Sequence, residues 1–186
     1  MKNDYLLVLG ASIMDIFGFS TSNYRAYNST PGKIKMSFGG VCRNIAENSA
    51  RIGINTKFLS VLGDDECGKS ILEHSREIGY NMEDSMIIKG ASTPTYLAIL
   101  DENGEMVSAI SDMKSLNAMT EEFIDSKKEL IKNAKYVVVD SDNPKILSYI
   151  LKNFSKETNF ILDPVSAKKA KKIRHLIKYF HLKMME

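Results

Sequence analysis

Apolar positions in this chain follow two rhythms. Residues 5–9 (YLLVL), 56–62 (TKFLSVL), 136–140 (YVVVD) and 160–163 (FILD) are short, nearly continuous apolar runs. Such runs suit strands buried on both faces. Between them, apolar residues recur at helical spacing. Val41, Ile45, Ala46, Ser49, Ala50 and Ile52 mark one helix, with Gly53 where a C-cap glycine belongs. Residues 67–78 predict a second helix ending at Gly79. Residues 120–133 predict a third, with Thr120 as N-cap and Phe123 just inside it. Residues 144–154 predict a fourth with Pro144 in its first turn, and residues 166–180 a basic fifth. Strands alternating with helices predict an α/β domain, a parallel sheet covered on both faces.

Two stretches break the alternation. Residues 33–38 place Ile34, Met36 and Phe38 on one side of a short strand, after a polar loop over 20–32. Residues 82–89, 95–100 and 106–110 read as three strands in series, with the DENG tetrad at 101–104 as a hairpin turn. They predict a small antiparallel insertion beside the main sheet. Residues 181–186 (HLKMME) read as neither strand nor finished helix, where an α/β unit turns into its next strand. The fold is therefore expected to be incomplete at the C-terminus.

Composition narrows the class. Hydrophobic residues make up 44% and charged residues 26%, the balance of a soluble globular chain. A net charge of +2 gives no support for a nucleic-acid or membrane surface. No stretch approaches the ~20 apolar residues of a membrane helix. The N-terminal residues lack a signal-peptide layout. Cys42 and Cys67 lie far apart, and His74, His175 and His181 show no ligand spacing. A reduced, cytoplasmic setting is expected.

Candidate chemistry gathers at predicted strand ends. Residues 38–53 read FGGVCRNIAENSARIG. Gly39 and Gly40 permit a tight turn and close approach to the main chain. Asn44 offers two donors and an acceptor, which suits neutral hydroxyls. A plain strand-to-helix turn with a surface Asn explains the same residues. Asp15 follows the first strand, Asp140 and Asp142 close the third, and Asp163 closes the fourth. One acid at a strand end is usually a cap. Acids at three such ends predict a polar cleft along the carboxyl edge of the sheet. Gly63–Ser70 spells GDDECGKS, a letter-perfect G-x-x-x-x-G-K-[ST] phosphate loop with Lys69 and Ser70 in the key places. Asp64, Asp65 and Glu66 would oppose a polyphosphate there. The competing reading is a turn in which Asp64 or Asp65 caps the next helix. The run of Lys168, Lys169, Lys171, Lys172 and Arg174 reads as a solvated helix face.

Taken together, the GASIMD opening, the FGGVCRNIAENSARIG block, the VLGDDECG loop and the ILDPVS strand end resemble the PfkB, or ribokinase-like, carbohydrate kinases. The blocks GGVCRNIAENSARIG, STPTYLAILDENGEMVSAISDM and LDPVSAKKAKK are especially similar to pseudouridine kinases. The resemblance implies a three-layer α/β/α fold spanning 1–186, incomplete at its end. It implies a small β-sheet lid inserted at about 16–38 and 90–113. It implies ATP-dependent phosphorylation of a ribosyl hydroxyl on a sugar or nucleoside, with Mg²⁺, and a possible homodimer through the lid. It assigns Asp15 to substrate hydroxyls, Gly39 and Gly40 to a sugar-contacting turn, and Asn44 to an amide that holds the sugar. Thr95, Tyr96 and the Ser111–Asp112 pair fall on lid strands, Asp142 near the substrate, and Asp163 near phosphates and metal. It makes the Asp-Asp loop structural. The family's GxGD motif, whose aspartate is the catalytic base, is absent from these 186 residues. Val61-Leu62-Gly63-Asp64 is only a partial echo. The chain alone is therefore expected to be inactive. The two rival expectations are a non-catalytic nucleoside-binding module and a phosphotransferase using Lys69 and Ser70.

Overall fold

A computed structural model of the chain describes residues 4–180, so the expectation for 181–186 lies outside the described residues. The elements in the first half are β1 (Leu6–Leu9), β2 (Ile13–Ser20), β3 (Gly32–Gly39), α1 (Val41–Arg51), β4 (Thr56–Leu59), β5 (Val61–Gly63) and α2 (Glu66–Ile78). Then come β6 (Met86–Ile88), β7 (Thr95–Leu100), β8 (Met106–Asp112), α3 (Glu121–Ser126), α4 (Lys128–Asn133), β9 (Tyr136–Asp140), α5 (Pro144–Phe154), β10 (Phe160–Asp163) and α6 (Ala167–Lys172).

Four parallel strands form the main sheet in the order β10-β9-β1-β4. Successive side chains point to opposite faces, and both faces are covered. Leu7, Leu9, Leu59, Val137 and Val139 meet α3, α4, α5 and Ile173 and Leu176 near the C-terminus. Val8, Phe58 and Val138 meet Cys42 and Ala46 of α1 and Ile71 of α2. The continuous apolar runs arise from this double coverage. Caps fix the helix starts. Thr120 Oγ1 accepts from Phe123 N, and Asn143 Oδ1 accepts from Ile146 N ahead of a first-turn Pro144. Gly79 ends α2 at φ 97°, a conformation glycine adopts without a Cβ clash.

A second four-stranded sheet has the order β3-β2-β7-β8. The β2–β3 and β7–β8 pairs are antiparallel, but β2–β7 is parallel. The insertion is thus mixed rather than purely antiparallel. It also contains β2, which was not among the predicted strands. Asp15 therefore stands inside a strand of this second sheet, not in a loop beyond β1.

Four boundaries differ from expectation for identifiable reasons. Residues 56–62 are not one strand. Ser60 interrupts them, its N–H donating to Ser85 Oγ and its own hydroxyl accepting from Ser12 N. The predicted strand at 82–89 contracts to β6 and lies outside the second sheet, paired in parallel with β5. Ser85 Oγ donates to Phe58 O and Met86 N to Ser60 O, which tie it to the edge of the main sheet. The helix over 120–133 breaks at Lys127, whose ammonium lies 2.9 Å from Asp84. Beyond α6 the chain tightens into a 3₁₀ turn over Arg174–Tyr179. Buried Ile173 and Leu176, three residues apart, line up on one side at that tighter pitch.

Candidate functional site

The site forms where the amino end of α1 meets the carboxyl end of β1. Gly40 is the N-cap at φ 97°. A side chain there would strike the Ala11 carbonyl at 2.4 Å. A Cβ on Gly39 would fall 2.0 Å from Asp15 Oδ2, so the aspartate carboxylate lies directly against the turn. Two glycines in series are needed because two different neighbours approach the same backbone. The first turn of α1 has neither an acidic residue nor a side-chain cap. Its leading N–H groups are thus free to face a ligand.

Asp15 is half-buried. Burial pushes its carboxyl above the ordinary range, and the Arg43 guanidinium opposes that shift. Arg43, buried to 5% exposure, donates from Nε to the Gly39 carbonyl at 3.1 Å. It also donates to Asn44 Oδ1 and Glu47 Oε2. Glu47 receives Arg51 at 2.7 Å and His74 at 3.3 Å as well. Burial disfavours its charge, but the hydrogen bonds from Arg43, Arg51 and His74 outweigh burial and hold its carboxyl down at about 2. His74 in turn stacks on Phe38 with ring centroids 4.5 Å apart.

Cross-strand register sorts the second-sheet candidates onto two faces. Ser37, Asp15, Tyr96 and Ser111 form one row, and Lys35, Phe17, Ala98 and Ala109 the next row on the same face. Phe17 meets Tyr96 edge-on at 6.5 Å. Phe38, Met14, Thr95 and Asp112 point the other way, as do Met36, Ile16, Leu97 and Ile110. Tyr96 therefore joins Asp15, whereas Thr95 and Asp112 do not. Thr95 Oγ1 donates to the Thr93 carbonyl, and Asp112 Oδ1 accepts from Lys114 N.

The acids at the ends of β9 and β10 are largely occupied. Asp142 Oδ1 lies 2.5 Å from Lys169 Nζ. Asp163 Oδ1 accepts from Val165 N at 2.7 Å. Asp140 is buried beside Gly10, where a Cβ would come within 2.4 Å of its Oδ2. Burial raises its carboxyl, the Asp142 N–H opposes this, and the Asp142 charge adds to it. Burial, with Asp140 next to it, also pushes the Cys42 thiol far up, so Cys42 is no nucleophile.

The phosphate-loop match fails on geometry. Asp65 Oδ1 accepts from Gly68 N and the Thr93 hydroxyl, and its Oδ2 from Thr93 N. Asp64 Oδ1 accepts from Gly90 N. The loop's carboxylates are spent capping α2 and tying the loop to Gly90 and Thr93, and Lys69 pairs with Glu66 at 2.6 Å. Asp65 is the helix cap of the competing reading.

Comparison with known proteins agrees with this frame. The family model for "pfkB family carbohydrate kinase" matches residues 3–185. The chain belongs to the pfkB family of carbohydrate kinases. It is 38% identical to a pseudouridine kinase of Escherichia coli over 97% of this chain and 58% of that protein. A crystal structure of a provisionally assigned sugar kinase from Clostridium perfringens is 69% identical, with a TM-score of 0.92 over 97% of this chain and 57% of that one. Arabidopsis thaliana ribokinase, solved with ribose and ATP, is 23% identical and shares the fold at a TM-score of 0.77, covering 87% of this chain and 53% of its own. The pfkB chain here thus spans somewhat more than half the length of these relatives.

Two groups at the candidate site escaped the sequence reading. Arg43 had a signal: Arg43, Glu47 and Arg51 repeat every four residues, the spacing of ion pairs along a helix. Phe17 had none, because β2 was not recognised as a strand.

Among the described residues no group of three His, Cys, Asp or Glu could hold a metal ion. Asp163, the one candidate for the phosphate–metal end, is turned to its own turn N–H. Among the described residues no set of donors for an ATP–Mg²⁺ site is brought together. No helix of the described residues is long and apolar enough to cross a membrane.

Proposed function

We propose that this chain is the sugar-gripping part of an ATP-dependent nucleoside kinase of the pseudouridine kinase type. The observation that carries this reading is the Asp15 carboxylate packed on the Gly39–Gly40 turn, with Asn44 one helical turn further on. Asp15 accepts from one ligand hydroxyl, and Asn44 and the first-turn N–H groups of α1 donate to oxygens beside it. Neighbouring hydroxyls on a ribosyl ring match that pairing. The second sheet acts as a lid. Its Asp15 face turns toward the sugar, and Tyr96 offers an aromatic edge to the attached base. Similarity to a pseudouridine kinase supports the nucleoside class. Thr95 and Asp112, on the opposite face of the lid, take no part in this grip, and Asp142, paired with Lys169, stands at the carboxyl edge near the substrate. The family's GxGD base is not among these residues, so this chain alone binds without transferring phosphoryl. Among the described residues β10 is an edge strand of the main sheet, with Ile161 48% exposed.

The apolar face of the lid supports a homodimer. Ile34, Met36 and Ile110 are 78%, 55% and 69% exposed on one face.

Calorimetry with pseudouridine, uridine, ribose and fructose tests the reading. Pseudouridine is expected to bind best and fructose not at all. Equal binding of all four, or none, refutes it. ATP-dependent turnover by the 186-residue chain refutes the division of labour.

A further inference from the structure

We propose that Arg43 is the positioning residue of this site, setting the direction of the Asn44 amide and clamping the Gly39 carbonyl. The inference rests on the sugar-gripping reading above.

A guanidinium only donates hydrogen bonds. The Asn44 atom facing Arg43 is therefore the carboxamide oxygen, which is the contact the structure shows. With its oxygen held, Asn44 presents its NH₂ group, two donors, toward the exposed side of the residue. Asp15 presents only acceptors. Arg43 thus decides which of the two wall residues donates. The same guanidinium holds Gly39 O at 3.1 Å, so the turn and the amide are fixed by one rigid fork.

A buried charge without partners is costly, and Arg43 is 5% exposed. Glu47 supplies its counter-charge and is itself held by Arg51 and His74. The buried Tyr80 hydroxyl sits beside the guanidinium, whose Nε and two Nη groups go to Gly39, Glu47 and Asn44. If Arg43 served only as an i,i+4 helix pair, contact with Glu47 alone would suffice. Contact with the turn and with Asn44 is what points to the ligand.

The test compares Arg43→Lys, Asn44→Ala, the double variant and Glu47→Gln in the full 186-residue chain. Lysine keeps the charge but cannot span three partners. Arg43→Lys is expected to weaken pseudouridine binding about tenfold, and adding Asn44→Ala to it should cost little more. In parallel, ¹⁵N relaxation should give the Asn44 Nδ2 group an order parameter near that of rigid backbone in the parent, falling below about 0.6 in Arg43→Lys. If Arg43→Lys does not fold, Glu47→Gln carries the same expectations, because it loosens the guanidinium from behind. Unchanged affinity, multiplicative losses in the double variant, or an Asn44 amide equally rigid without Arg43 would overturn the proposal. A parent chain that binds no nucleoside refutes the proposed function alone. The relaxation measurement then still decides the role of Arg43.

Discussion

The two four-stranded sheets of this molecule are built on opposite terms. In the main sheet, Leu7, Val8, Val137 and Val139 are almost wholly removed from water, and both faces are packed by helices. In the second sheet every residue of β8 is exposed, and β3 is exposed over its first five. The first sheet is held by burial. The second is held by its strand ladder and by Met14 and Phe38, which root it in the α1–α2 core. The contrast separates stability from recognition. The proposed site draws Asp15 and Tyr96 from the sheet that contributes little core, and the glycine turn and Asn44 from a helix seated on the sheet that contributes most of it.

The sharpest way to break this contrast is a pair of truncations. Ile150 is 1% exposed against the main sheet, and Ile110 is 69% exposed on the second. Ile150→Ala is expected to cost about 3 kcal/mol through lost burial and a residual cavity. Ile110→Ala should stay within about 0.5 kcal/mol. Urea unfolding midpoints give both numbers, and comparable losses would mean that the second sheet belongs to the same cooperative core.

Next in size is the effect of Asp15 on ligand binding. Asp15→Ala is expected to weaken pseudouridine binding about a hundredfold, the scale of a charge-assisted hydrogen bond. Stability should move the other way. Burial raises the Asp15 carboxyl in the folded state, so above its folded value the ionised group opposes folding. Asp15→Asn should therefore leave the melting temperature at pH 7 unchanged or slightly raised. A large loss of stability would place Asp15 in the scaffold rather than in the site.

The same contrast explains what the sequence could reveal. The main sheet was legible because strands buried on both faces read as unbroken apolar runs such as YVVVD. Helix ends were legible where Thr120, Pro144 and Gly79 carry local chemistry. β2 was not legible. In IMDIFGFS the apolar face is carried by Met14, Ile16 and Gly18, while Phe17 and Phe19 make the opposite face hydrophobic too, so no alternation shows. Two-sheet membership was equally hidden, since β6 has strand-like residues but is claimed by Ser60 and Ser85. By residue type alone the glycine turn and Asn44 read equally well as a plain turn, and Asp15 as a cap; the resemblance to pfkB kinases is what assigned them to a substrate. That Thr95 and Asp112 face away from Asp15 required register, which a single sequence does not supply.

An acid titration sharpens the comparison from the side of the helix. Glu47 is held at about 2, below the ordinary 4.5, chiefly against burial and by Arg43, Arg51 and His74. A depressed carboxyl contributes stability that is fully present above about 4.5 and lost as pH falls through about 2. Allowing for solvent at its edge, removing the pairs is expected to cost about 1–2 kcal/mol. Glu47→Gln should lose this amount at pH 7 and show a flatter stability curve between pH 5 and 2. An unchanged acid limb would mean that the network adds nothing to the fold.

The smallest stability effect is expected where the second sheet is proposed to meet a second copy. Met36, Ile16, Leu97 and Ile110 form one cross-strand row, with Ile34 beyond it on the same face. Stacked apolar sheets exclude water only if both faces are flat and uncharged, and one lysine in such a row must be desolvated on pairing. In the monomer Ile110→Lys points into solvent and should change unfolding by less than about 0.5 kcal/mol. Sedimentation should nevertheless show a parent dimer at micromolar concentration and a monomeric variant. Lys35, which lies on the opposite face beside Phe17, is the control, because Lys35→Ala should leave assembly untouched. A variant that remains dimeric would place the contact elsewhere and leave the outer face of the lid without a role in assembly.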